Sequence, residues 1–343
     1  MTSCNILTDL RIPQSPLWGR EADSLADKAP RLFAFIEKTP SRIIQKLAPI
    51  LKLAIIIKFI HKYDILVTAG IKTGQLLALF RSIFRINKPM HIILELMLDE
   101  EREKIGWKIK RTIQRFLFSS VDMIFVSSSQ EIETYSRRLN LPKNRFKFIH
   151  FHTNVIEPKM LSSSHSYVLS AGRTGRDFHT LVEAAGRLAD IKFVIISDQQ
   201  SATGLVLPKN IMLHVNIPRE DYLRLVKECS FVVVPLQTLV KSTGQVVILE
   251  AMAYGKPVIA TDAVGTKDYI QSGLNGIIVP PNDPVSLAKA IRQLADDASL
   301  HEKLSRNAFD FVKANCTFAK YVTKILDTAC ELLRPLHYKN TNL

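Results

Sequence analysis

Residues 242–281 read STGQVVILEAMAYGKPVIATDAVGTKDYIQSGLNGIIVPP, and this stretch decides the fold. Ser242, Thr243 and Gly244 can open a helix: hydroxyl side chains cap free N–H groups, and a glycine lets a ligand approach the backbone. With Gln245 and Val246 as the next residues, that helix start is ready for an anion. From Gly244 to Tyr254 the apolar Val247, Ile248, Ala251 and Met252 recur at helical spacing. Glu250 is left beside that stripe, about a turn and a half below the helix start. Gly255 then serves as a left-handed cap and Pro257 forbids continuation. PVIATD, residues 257–262, reads as a fully buried parallel strand. The whole is the layout of a nucleotide-diphosphate pocket, in which a carboxylate takes two ribose hydroxyls. The plainer alternative is a generic α/β helix with Glu250 solvated on its polar edge.

The same alternation extends outward. Strands at 64–70, 90–96, 123–128 and 146–152 are separated by helices at 73–85, 102–119 and 130–139, a βαβ series that implies a parallel sheet. A polar, serine-rich linker covers 156–166, and a second series follows with strands at 167–172, 192–197, 210–215 and 231–236. Helices at 283–296, 298–314 and 317–333 close the chain. Two doubly wound Rossmann-like domains are therefore expected, of class α/β, with a cleft between them at the strand carboxyl ends. Their bounds are 1–155 and 167–315, with 316–343 as a separate C-terminal helix. Residues 1–40, with Pro13, Pro16, Pro30 and Pro40, give no clear element, and no strand is found before residue 60.

A second constellation is SAGRTGRDFHTL, residues 170–181, at a strand end just before a helix. Gly172 and Gly175 expose backbone there, while Arg173 and Arg176 can neutralise a pyrophosphate with bidentate hydrogen bonds. The alternative is a solvated basic turn.

LEAMAYGKPVIAT, residues 249–261, resembles the signature of the large retaining family of GT-B sugar-nucleotide glycosyltransferases, which includes many bacterial polysaccharide and lipid glycosylating enzymes. The resemblance extends over 167–333 and more faintly over 64–155. In that family two glutamates separated by seven residues frame the motif; Glu250 matches the second, which holds the donor ribose, and the first falls on Ser242. The family places an Arg and a Lys in the loop of Arg173 and Arg176. The resemblance also implies a terminal helix that crosses back to the first domain, and a first domain shortened or diverged at its start.

Composition bounds the partners. Lys and Arg number 46 against 32 Asp and Glu, a net charge of +14, which calls for an acidic partner. Sugar nucleotides and anionic lipid both qualify; nucleic acid would rest on charge alone, since no zinc-finger spacing, RNA-binding signature or leucine heptad occurs, and it is not expected. Cys4, Cys229, Cys316 and Cys330 show no paired spacing, as expected of reduced thiols in a cytoplasmic protein. The first thirty residues lack a signal-peptide core. The apolar run 43–60 is broken by Lys46, Pro49, Lys52 and Lys58, which argues against a spanning helix. On the helix at 102–119, Ile105, Ile109, Ile113, Phe116 and Leu117 form an apolar face, with Lys104, Lys108, Arg111 and Arg115 along its flank. Such a flank can lie on an anionic bilayer, or the apolar face packs on the sheet and the flank is simply wet.

The reading is a metal-independent, retaining glycosyltransferase of hexosyltransferase type, without a cofactor. It moves a sugar from a nucleotide-diphosphate sugar to a lipid-linked or polysaccharide-precursor acceptor at the cytoplasmic membrane surface. Its catalytic cations are Arg173 and Arg176, and Gly172, Ser242, Thr243, Gly244, Gln245, Val246 and Glu250 bind the donor. The rivals are a catalytically silent binding protein of the same fold and a sugar-nucleotide epimerase or phosphorylase. Glu95, Asp99, His150 and His152 are polar candidates of the first domain, none distinguishable as a base.

Overall fold

Two parallel six-stranded sheets, each flanked by helices, organise the chain, as seen in a computed structural model that describes residues 5–9, 22–24, 28, 42–69, 71–100, 105–161 and 167–340. One unit comprises Met1–Ile149 with Val322–Leu343, the other His150–Tyr321. His150 and His152, candidates for the first domain on sequence grounds, thus fall in the second unit.

In the first unit the elements run β1 (Ile6–Thr8), β2 (Ala22–Ser24), α1 (Arg42–Phe59), β3 (Ile65–Thr68), α2 (Ile71–Phe84), β4 (Met90–Ile93), α3 (Ile105–Phe118), β5 (Met123–Val126), α4 (Ser129–Leu139) and β6 (Phe146–Phe148). Their order in the sheet is β2-β1-β3-β4-β5-β6, every pairing parallel. The expectation of no strand before residue 60 is corrected: Ile6, Leu7 and Thr8 pair with Ile65, Leu66 and Val67 and are buried. Three residues are too few to show alternation, and only the sheet identifies them. The remainder of 1–40 lies outside the described residues. Short apolar runs such as ILVT (65–68) are buried at every position, as a strand covered by helices on both faces must be. Helix α4 starts in a capping box in which Ser128 and Glu131 bond each other's backbone N–H, and it ends on a left-handed Asn140.

The second unit contains β7 (Tyr167–Ala171), α5 (Phe178–Gly186), β8 (Lys192–Ser197), α6 (Gln199–Ala202), β9 (Ile211–Val215), α7 (Arg219–Glu228), β10 (Phe231–Val234), α8 (Gln245–Ala253), β11 (Val258–Thr261), α9 (Thr266–Tyr269), β12 (Ile277–Val279), α10 (Pro284–Asp296) and α11 (Ala298–Asn315). Helix α12 (Phe318–Asn340) follows and belongs to the first unit from Val322 onward. The sheet order β12-β11-β10-β7-β8-β9 reverses direction between β7 and β10. Where strand order reverses, the loops leaving adjacent carboxyl ends diverge and open a crevice for a ligand. One apolar cluster packs α7, α8 and α11 on one face of this sheet, and another packs α5 and α10 on the opposite face. Of the expected linker, 162–166 lies outside the described residues, while Lys159 and Leu161 donate backbone hydrogen bonds to Ala253 and Tyr254.

The first unit buries His91 completely, with Nε2 2.8 Å from Thr68 Oγ1 and no partner on Nδ1. Burial, reinforced by the nearby Arg81 guanidinium, holds this imidazole well below the usual histidine range, so it is neutral when folded. The unfolded chain takes up a proton below about pH 6.5 and the folded chain does not, so stability falls as pH drops through that value. We expect His91→Asn to flatten the acid limb of urea-unfolding stability by about 1.4 kcal/mol per pH unit. An unchanged slope would place the proton uptake elsewhere.

Candidate donor site

Helix α8 is buried at nearly all its positions, which explains its uniformly apolar sequence around one carboxylate. It begins at Gly244, whose φ of 97° no side-chain-bearing residue adopts easily and which has no side chain of its own to cap the helix. Ser242 beside this start is buried, and Thr243 lies against the loop after β7. A Cβ on Gly175 would meet Thr243 Oγ1 at 2.9 Å, and Gln237 N–H donates to the Gly175 carbonyl at 3.0 Å. The loops after β7 and β10, which sequence placed far apart, come together where the strand order reverses.

The two arginines of the first loop differ in circumstance. Arg176 folds back on its own loop, Nε donating to the Ala171 carbonyl at 2.9 Å and Nη1 to the Thr174 carbonyl at 3.0 Å. Its guanidinium covers Gly172, where any Cβ would overlap it, and burial pulls its pKa down to about 10. Arg176 thus builds the loop. Arg173 is exposed, and its carbonyl accepts from Ser201 Oγ at 2.8 Å. Asp198, at the next strand end, caps α6 by accepting from Ser201 N–H at 2.8 Å.

Glu250 is 0% exposed, so the reading of a solvated helix edge is excluded. Each of its oxygens takes two donors. Oε2 accepts from Arg219 Nη1 at 3.0 Å and Tyr222 Oη at 2.8 Å; Oε1 accepts from Asn154 Nδ2 at 3.2 Å and from Arg219 Nη2. A carboxylate offers about four lone-pair positions, and all are filled. Burial and the neighbouring Glu250 charge push the Tyr222 phenol well above its usual range, so it remains a donor. The hydrogen bond to Glu250 raises the Arg219 pKa. Tyr222 is buried and fixed, whereas the Arg219 side chain is 48% exposed. A vicinal diol presenting two O–H groups can replace the guanidinium's two N–H groups only if Arg219 swings outward.

Sequence reasoning did not find Arg219, Tyr222 or Asn154. One signal was present: Arg219 opens α7, where the helix dipole disfavours a cation, so a compensating carboxylate was to be sought. The Asp296–Asp297 pair has structural duties, Asp297 capping α11 and Asp296 lying 3.7 Å from Arg292.

Residues 155–311 match the family of glycosyl transferases group 1. Among curated relatives, the chain is 27% identical over 150 residues to the lipopolysaccharide core biosynthesis glycosyltransferase LpsE of Rhizobium meliloti, covering 42% of this chain and 43% of that protein. It is 29% identical over 130 residues to an uncharacterized glycosyltransferase of Methanocaldococcus jannaschii, covering 36% of each. These matches span less than half of those relatives' length. Among solved structures, HepE of Anabaena in complex with UDP superposes with a TM-score of 0.68 at 18% identity, covering 95% of this chain and 99% of that one. The fold is GT-B.

Proposed function

We propose that the protein is a retaining glycosyltransferase of hexosyltransferase type that uses a nucleotide-diphosphate sugar. The observation that carries this is the buried Glu250 carboxylate, covered by a displaceable guanidinium fork, in the same helix whose start meets the Arg173 loop. On this reading the donor ribose replaces Arg219 on Glu250, and the diphosphate lies at Gly172, Arg173 and the Ser242–Val246 helix start. The bond from the anomeric carbon to the phosphate oxygen breaks with its electron pair on the phosphate, and the acceptor oxygen bonds to that carbon from the same face, its hydroxyl proton passing to the departing diphosphate oxygen. Arg173 and the α8 N-terminus stabilise the negative charge that grows on the leaving diphosphate, without a metal. Arg176 holds Gly172 and the loop in place. The UDP bound to HepE supports the donor class, and the lipopolysaccharide role of the Rhizobium relative supports a lipid-linked or polysaccharide-precursor acceptor at an anionic, cytoplasmic membrane surface.

A catalytically silent binding protein is the second reading, favoured by one observation: Ser242 stands buried where the resemblance puts a glutamate. Release of free nucleoside diphosphate from a panel of sugar nucleotides separates the two. Release from at least one donor supports the enzyme; tight donor binding with no release supports the silent protein. Arg173→Ala should then lower kcat about 10- to 100-fold while changing KM little, because the interaction grows as charge develops on the phosphate. A rise in KM alone would make Arg173 a binding group only.

A further inference from the structure

We propose that the α1–α3 side of the first unit docks on an anionic phospholipid bilayer by inserting the side chains of Ile109, Ile113 and Phe116. The sequence pattern leaves open whether the apolar face of α3 packs on the sheet. The structure turns that row outward: Ile109, Ile113 and Phe116 are 57%, 54% and 51% exposed. The opposite side of the helix carries the packing. Trp107 lies against the Arg138 guanidinium of α4, whose carbon is 5.9 Å from the ring centre, and Phe118 is fully buried. A helix of a soluble domain turns its apolar stripe to the core, and one that turns it to water marks a surface for something else.

The patch continues on α2. Ser82 Oγ donates to the Phe116 carbonyl at 3.1 Å and Ser120 Oγ to the Ala78 carbonyl at 2.8 Å, tying the two helix ends together. At that end of α2, Ile83 and Phe84 are also exposed. Charge selects the partner. None of α1, α2 and α3 contains an Asp or Glu. Lys108 and Arg115 are exposed on α3, and Arg85 and Lys88 are exposed at and just beyond the end of α2; Lys104 lies outside the described residues. Isoleucine and phenylalanine with cations alongside are the pattern of a helix lying in a bilayer interface, the apolar groups among acyl chains and the cations at anionic headgroups. Among the described residues no helix is long and apolar enough to cross a membrane, so docking would be peripheral.

The proposal rests on the reading that the acceptor is membrane-borne; nucleotide binding by the second unit does not depend on it. Flotation of the full chain is measured with vesicles of phosphatidylcholine containing phosphatidylglycerol, and with phosphatidylcholine alone. The wild type should float with the anionic vesicles only. A triple variant, Ile109→Ser with Ile113→Ser and Phe116→Ser, should lose at least about tenfold in partitioning while keeping its melting temperature and UDP affinity. Lys108→Glu with Arg115→Glu should weaken flotation with the apolar row intact. Failure of the wild type to float with anionic vesicles, or full flotation of the triple variant, overturns the proposal. So does a wild-type dimer that the triple variant converts to monomer, which would assign the face to a second copy. Absence of UDP binding by the wild type would strike the donor reading and leave the flotation result standing.

Discussion

Glu250→Gln is expected to weaken binding of the donor nucleotide about 30-fold and to lower stability at the same time. Two hydroxyls bonded to an ionised carboxylate contribute about 1.5–3 kcal/mol each, but they replace the two bonds of Arg219, so a net loss of about 2 kcal/mol remains. The stability loss has a separate origin. Tyr222 Oη, Asn154 Nδ2 and the Arg219 fork all converge on the Glu250 oxygens, and an amide turns one acceptor into a donor facing them. Removing one partner of a fully buried pair costs about 3–5 kcal/mol; with Arg219 48% exposed, about 2 kcal/mol is expected here. Isothermal titration with UDP and urea unfolding read the two effects independently. Unchanged nucleotide affinity in a folded variant would remove Glu250 from the donor site.

Arg219→Ala separates the roles of the two partners. If Arg219 occupies the ribose position in the free protein, its removal leaves nucleotide affinity undiminished, or raises it several-fold, while unfolding free energy falls by about 1–2 kcal/mol. The cost arises because Glu250 loses its only cationic partner among the described residues and keeps Tyr222 and Asn154. A fall in affinity as large as that of Glu250→Gln would reverse the assignment: Arg219 would be the ligand-facing group and Glu250 its anchor.

Much of this was legible in sequence, for identifiable reasons. The helix of Glu250, the strand after it and the turn at Gly255 follow from periodicity, proline and glycine, and the structure has α8 at Gln245–Ala253, β11 at Val258–Thr261 and Gly255 at φ 69°. The βαβ series of both units follows from apolar runs of four or more residues. What escaped was set by tertiary contact. β1 is three residues long and acquires its meaning only by pairing with β3. The cluster on Glu250 draws on positions 154, 219 and 222, which no local window joins. The row Ile109, Ile113 and Phe116 has the period of a buried stripe, and only its neighbours decide which way the helix turns.

The structure of the protein with UDP bound tests the central claim most directly. The account predicts the ribose hydroxyls within hydrogen-bonding distance of the Glu250 carboxylate, Tyr222 and Asn154 still in place, the Arg219 guanidinium swung away, and the diphosphate at the start of α8 beside Arg173. UDP bound with the Arg219–Glu250 pair intact, or at any other place on the molecule, would contradict it.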